Sequence, residues 1–202
     1  IAVSEWGGLD VDTFVKKHHL GDLVIFFGGR LSPPKGAIQM IEAMPAICKT
    51  VPGAQLLVVG KQDAFAERMI KHATGIGVEK SLVFTGWITG DELRSAYLAS
   101  RVVVTPSIYL DPFPTVNLEA FAALRPVVAT CFGGSRELVE EGVSGYVVNP
   151  LDVEMLSAKV ADLLMDEEKA KRFGVAGYER VRHDFTLEGQ ARAYEKLFAE
   201  LG

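Results

Sequence analysis

Two carboxylates, Asp111 and Glu119, stand with seven residues between them in the segment SIYLDPFPTVNLEA. The sequence predicts a strand ahead of them (RVVVTPS), a Pro-rich turn at Asp111-Pro112-Phe113-Pro114, a helix over 115–124 and a second strand over 126–130. Asp111 then falls just before a helix N-terminus, where backbone N–H groups lack intrahelical partners and the helix dipole favours an anion. Glu119 follows about one turn inside, so it can share the same mouth while reaching another part of one ligand. An anion site between two carboxylates that accept from hydroxyls suits a molecule that is part phosphate and part sugar. The plainer alternative for Asp111 is a cap on the helix that begins near Thr115.

A second group of charges lies in Gly28-Gly29-Arg30-Leu31-Ser32-Pro33-Pro34-Lys35-Gly36. Arg30 offers a planar fork for phosphate oxygens and Lys35 a mobile point charge, a pair suited to a diphosphate. The spacing is neither that of a P-loop nor that of the dinucleotide fingerprint. On local spacing alone, a strand-to-helix turn with two solvated cations is the stronger reading.

These residues need a frame. Apolar strand candidates occur at 23–28, 55–59, 82–85, 102–105, 127–130 and 145–148, separated by helical patterns at 36–51, 64–73, 91–99, 116–123, 135–141 and 153–165. The first of those helices puts Ile38, Ile41, Met44, Ile47 and Val51 on one stripe, as for a helix packed on a sheet. Continuous apolar strands point to a parallel sheet covered on both faces. Alternation of strand and helix gives an α/β fold, a Rossmann-like doubly wound parallel sheet of about six strands with helices on both faces. Ligands of such sheets bind beyond the carboxyl ends of the strands, where every candidate above falls. Two further helices, over 167–183 and 187–201, close the chain. The last carries Leu187, Ala191, Tyr194, Leu197 and Leu201 on one face and needs a surface to cover, in this domain or in another.

The composition excludes several classes. At 49% hydrophobic and 23% charged the 202 residues are ordinary globular material, and the net charge of -5 with no Lys/Arg run argues against nucleic acid. The longest apolar runs, LVIFF and AQLLVV, are too short for a membrane span. Cys48 and Cys131 form no disulfide framework, and His18, His19, His72 and His183 do not cluster at metal-ligand spacing. A reducing, cytoplasmic location is expected, with peripheral membrane attachment open to any missing part. A chain that opens at Ile1 without an initiator Met is expected to be a piece of something longer.

Taken together, Gly28-Gly29-Arg30-Leu31 with Lys35-Gly36, Asp111-Pro112-Phe113 with Glu119-Ala120, Pro126-Val127-Val128-Ala129, Gly133-Gly134 and Glu137 resemble the donor-binding half of retaining GT-B glycosyltransferases. More narrowly they are similar to the family-four group, which includes sucrose-type, mannosyl- and lipopolysaccharide enzymes. Leu56-Leu57-Val58-Val59-Gly60, Val83-Phe84-Thr85-Gly86 and Pro106-Ser107 follow the order and spacing of that family, and Gly8-Leu9-Asp10 before Phe14 is similar to its linker into the C-terminal domain. The resemblance implies that residues 1–22 are a lead-in, 23–185 a nucleotide-sugar-binding domain, and 186–202 a helix packing toward a missing N-terminal domain with most of the acceptor site.

It also implies roles. Arg30 and Lys35 would neutralise the diphosphate of a UDP-, GDP- or ADP-sugar, replacing a metal ion, so that no metal and no cofactor is expected. Glu119 would accept from the ribose hydroxyls, and Asp111 would contact the transferred sugar. Gly29, Phe113 and the backbone amides of Thr115 and Val116 would line the phosphate and sugar. The base would lie near Gly86 and Trp87, although Trp87 is read equally as a core aromatic. Two positions depart from the family: Asp111 stands for the usual Glu and Pro114 for the usual Gly, which shortens one contact and removes one N–H. The rival reading is a non-catalytic nucleotide-sugar-binding or assembly module. A phosphorylase would need a pyridoxal-phosphate lysine, which nothing marks.

Overall fold

A computed structural model describes residues 6–201, the side chain of Leu201 excepted. Six parallel strands, β1 (Val24–Gly28), β2 (Gln55–Val59), β3 (Leu82–Gly86), β4 (Val102–Thr105), β5 (Val127–Thr130) and β6 (Gly145–Val148), form one sheet in the order β3-β2-β1-β4-β5-β6. The chain builds outward from β1 in one direction and then returns to build from β4 in the other. The crevice beyond β1 and β4 is therefore the topological switch point.

Alternate strand residues enter two cores, as the pleat requires. Ile25, Phe27, Leu56, Val58 and Val104 pack on one face with α2 (Ala37–Thr50), α3 (Ala64–Gly75) and α7 (Val153–Met165). Val24, Phe26, Leu57, Val59 and Val103 pack on the other with α1 (Val11–His18), α4 (Gly90–Leu98) and α5 (Thr115–Ala122). Being buried from both sides, these strands show no polar alternation. A short α6 (Ser135–Leu138) follows β5, shorter than the expected 135–141, and α8 (Glu167–Asp184) packs along α5 and α7.

The described part of the expected lead-in is more ordered than its polar sequence suggests. Asp10 caps α1, accepting from the Thr13 backbone N–H at 3.1 Å and from its hydroxyl at 2.6 Å, and Phe14 and Leu20 are buried in the second core. His18 packs on the Phe14 ring, with centroids 4.5 Å apart. At the other end α9 (Leu187–Leu201) buries no described side chain, and Leu187, Tyr194, Leu197 and Phe198 remain exposed. Its stripe stays uncovered among the described residues. Residues 1–5, including the opening Ile1, lie outside the described residues.

Candidate functional site

Three loops meet at the switch point and position the site. The loop after β1 touches the loop after β4: the Ile108 N–H donates to the Pro34 carbonyl at 2.8 Å, and a Cβ on Gly36 would stand 1.8 Å from the Pro106 oxygen. Gly36 also holds φ +76°, so both space and backbone demand glycine there. The loop after β5 closes from the other side. Gly134 N–H donates to the Asp111 carbonyl at 2.8 Å, and a Cβ on Gly134 would lie 1.9 Å from the Pro112 oxygen. The Gly133-Gly134 pair is thus a close approach that fixes the Pro-rich segment.

That assembly brings Lys35 to Asp111. The Lys35 ammonium donates to Asp111 Oδ2 at 2.7 Å and to the Tyr109 hydroxyl at 2.8 Å, while Tyr109 donates to the same carboxylate oxygen at 2.7 Å. Burial alone would lower the Lys35 pKa, but its bonds to Asp111 and Tyr109 outweigh this and raise it. Burial would likewise raise Asp111, and the bonds from Lys35 and Tyr109 outweigh this and lower it. Both partners are therefore ionised. The Asp111 side chain does not cap α5: the N-cap is Pro114, with no side-chain cap bond, so while the Asn117 N–H donates to the Pro114 carbonyl at 3.0 Å, the Thr115 and Val116 N–H groups are left uncapped at the site.

Beneath this turn lies a buried polar brace. Thr105, at the end of β4, donates to Asn117 Oδ1 at 2.8 Å, and the Asn117 amide reaches the Ser135 hydroxyl at 3.4 Å. Asn117 is fully buried, so the brace ties the start of α5 to the sheet and to α6.

Glu119 lies one turn further along α5, half-buried. Its Oε2 accepts from the Tyr97 hydroxyl at 2.5 Å. Burial pushes the Glu119 pKa up and the Tyr97 bond offsets part of that rise. Burial, with the Glu119 charge beside it, also keeps the Tyr97 hydroxyl protonated, well above its ordinary value.

The concavities share walls. One of about 150 Å³ is lined by Gly28, Lys35, Asp111, Phe113, Thr115 and Val116 among others. A second of about 220 Å³ holds Gly29, Trp87, Tyr97, Thr115, Val116 and Glu119. A third, about 700 Å³, runs from Phe113, Thr115 and Glu119 to the junction of α8 and α9, where Phe113 and Phe185 pack with centroids 5.6 Å apart. Thr115 borders all three. Arg30 departs from expectation: it is exposed and lines a neighbouring recess with Lys61, Asp63 and Trp87, not the one that holds Lys35. Trp87 joins that recess to the second cavity and is 68% exposed, which removes the core-aromatic reading. Among the described residues no three His, Cys, Asp or Glu groups converge to hold a metal ion, and no helix is long and apolar enough to cross a membrane.

Sequence reasoning missed Tyr97, Tyr109 and Asn117. Tyr109, two residues before Asp111, carried a local signal. Tyr97, 22 residues before Glu119, carried none.

The profile of the family "Glycosyl transferases group 1" matches residues 10–180. The chain belongs to that family. It is 33% identical to a GDP-mannose-dependent alpha-(1-6)-phosphatidylinositol monomannoside mannosyltransferase of Mycolicibacterium smegmatis, over 96% of this chain and 54% of that protein. Sucrose-phosphate synthase from Thermosynechococcus elongatus superposes with TM-score 0.82 at 29% identity, over 95% of this chain and 50% of that one. The C-terminal domain of a group 1 protein from Francisella tularensis superposes with TM-score 0.80 at 24% identity, over 93% and 99% of the two chains, a likeness of fold. The chain spans about half the length of the curated relatives it matches.

Proposed function

We infer that this chain is the donor-binding half of a retaining, metal-independent hexosyltransferase that takes its sugar from a nucleoside diphosphate. The observation that carries this reading is the uncapped start of α5 at the switch point, with Lys35 on one side and Glu119 one turn inside. Orphan amides and a cation suit a diphosphate, and a half-buried carboxylate suits vicinal hydroxyls. The GDP-mannose dependence of the mannosyltransferase relative supports a nucleotide-sugar donor.

In the reaction the bond between the anomeric carbon and the diphosphate oxygen breaks, and its electron pair leaves on that oxygen. The acceptor hydroxyl oxygen bonds to the anomeric carbon on the face the diphosphate vacates, and its proton passes to the departing diphosphate oxygen. Lys35, the amides of Thr115 and Val116, and Arg30 after a change of side-chain conformation stabilise the growing charge, each such donor contributing on the order of 3 kcal/mol. Glu119 accepts from the ribose, and Trp87 with Gly29 borders the base. Asp111 stands at the sugar end. A second domain across the cleft, on which α9 would pack, supplies the acceptor site, since half a cleft neither excludes water nor orients a hydroxyl.

Titration calorimetry of the chain with UDP, GDP and ADP tests the reading. Heat is expected from at least one at millimolar concentration. No heat from any of them overturns the proposal.

A further inference from the structure

Tyr97 has no part in the function described above, yet its ring is tightly held at the site. Its ring is 1% exposed, stacked on Phe26 with centroids 4.1 Å apart and met edge-on by Trp6 at 5.7 Å. Such packing leaves the ring one orientation, and in it the hydroxyl lies 2.5 Å from Glu119 Oε2. Among the described residues, Glu119 Oε1 accepts no protein hydrogen bond. The carboxylate borders the cavity shared by Gly29, Trp87 and Val116.

We propose that Tyr97 is the positioning residue of the nucleoside subsite: its hydroxyl fixes Oε2 of Glu119 and leaves Oε1 as the acceptor for the ribose hydroxyls. This rests on the reading of Glu119 given above. A carboxylate on a half-buried helix face can rotate, and each wrong rotamer must be ordered when ligand binds. The Tyr97 bond meets that ordering cost in advance. It also favours the ionised carboxylate against the burial that opposes it. An ionised carboxylate accepts from two vicinal hydroxyls, whereas a protonated one spends an oxygen as donor.

The experiment compares the tightest-binding of UDP, GDP and ADP with its 2′,3′-dideoxy form, on the wild-type chain, Tyr97→Phe, Glu119→Gln and the double variant. The wild type is expected to prefer the ribose form by about tenfold or more, the size of a charge-assisted bond. Tyr97→Phe keeps the ring in its stack and should cut that preference to within about threefold. In the Glu119→Gln background the same change should cut it no further.

If Tyr97→Phe does not fold, 19F NMR of the wild-type chain labelled with 3-fluorotyrosine takes its place. The Tyr97 resonance should shift with the ribose form and stay with the dideoxy form. Equal binding of the two forms by the wild type overturns the assignment of Glu119, and the role of Tyr97 with it. Discrimination by the wild type that survives in Tyr97→Phe, or a fluorine signal blind to the ribose, overturns the role of Tyr97 alone.

Discussion

The Lys35 ammonium and the Asp111 carboxylate meet at 2.7 Å across 76 residues of sequence, with the Asp111 side chain 9% exposed and that of Lys35 30%. The pair locks the loop after β1 to the loop after β4. Removing one partner strands the other partly buried, so Asp111→Asn should cost about 1–3 kcal/mol in urea unfolding. The pH dependence follows from the two shifts. Asp111 is lowered in the fold, so its contribution is present above the ordinary carboxylate range near pH ~4 and is lost as pH falls below it. Lys35 is raised, so its contribution is full below about pH 10.4 and is lost as pH rises beyond that. The gap between wild type and Asp111→Asn should be flat from about pH 5 to 9 and shrink on the acid side. A gap unchanged at pH ~3 would show that the pair does not hold the loops.

Glu119 behaves in the opposite sense. Its pKa is raised by burial, so its charge opposes folding, and stability falls as pH climbs from the unfolded carboxylate value through the raised one. Asp184 is the other carboxylic side chain bordering its cavities. Glu119→Gln should therefore match or exceed the wild type in stability at neutral pH, by up to about 1 kcal/mol, while binding nucleoside diphosphate about tenfold or more weakly. Thermal melts with and without ligand check both halves. A variant that loses stability but keeps its affinity would make Glu119 structural.

The strands were legible because burial on both faces writes itself as uninterrupted apolar runs such as LVIFF and AQLLVV. Asp111 and Glu119 stood out because they flank the start of one helix, yet Asp111 lies in the turn before it and the two line different concavities. What escaped depends on distant segments. Val11–His18 ends in Lys16, Lys17 and His18, and Phe14 is its one buried residue, with Val15 partly buried beside it and Leu20 following, too few apolar positions to read as a helix. Arg30 was grouped with Lys35 by sequence proximity, but the loop turns between them, leaving Arg30 toward Lys61 and Trp87. The Tyr97–Glu119 bond joins two helices and has no local trace.

Gly134 separates steric demand from backbone demand. Its φ is an ordinary -82°, so any residue could adopt the backbone, but a Cβ would stand 1.9 Å from the Pro112 oxygen. Gly134→Ala must push the Asp111–Pro114 segment away and should cost about 1–3 kcal/mol, with ligand affinity falling in parallel. Gly53→Ala serves as the control: it meets no atom within 4 Å and carries only the strain of φ +88°. That strain should cost about 1–2 kcal/mol of stability, with affinity intact. Equal loss of affinity in both would remove the loop contact as an organiser of the site.

The terminal helix can be tested by removal. No described side chain of α9 is buried, and Leu187, Tyr194, Leu197 and Phe198 are exposed. Deleting residues 187–202 should leave the unfolding midpoint within about 2 °C, because little apolar area returns to water. Self-association on size exclusion should fall at the same time, as an exposed apolar stripe is lost. A drop of about 5 °C or more would mean that α9 docks on this domain in solution.

The two readings of the family likeness part at Lys35. If the site transfers a sugar, the ammonium is needed most when charge builds on the departing diphosphate. Lys35→Ala in a longer protein completed by its second domain should then lower kcat by about 100-fold or more. The donor KM should change much less, since the amides of α5 still hold the ground state. A module kept only for assembly has no such transition state, and its partner interactions would not register the loss of one ammonium inside the cleft. Steady-state kinetics at saturating donor therefore separate the two. A Lys35→Ala enzyme with undiminished kcat would take this side chain, and with it the electrostatic mechanism, out of the reaction.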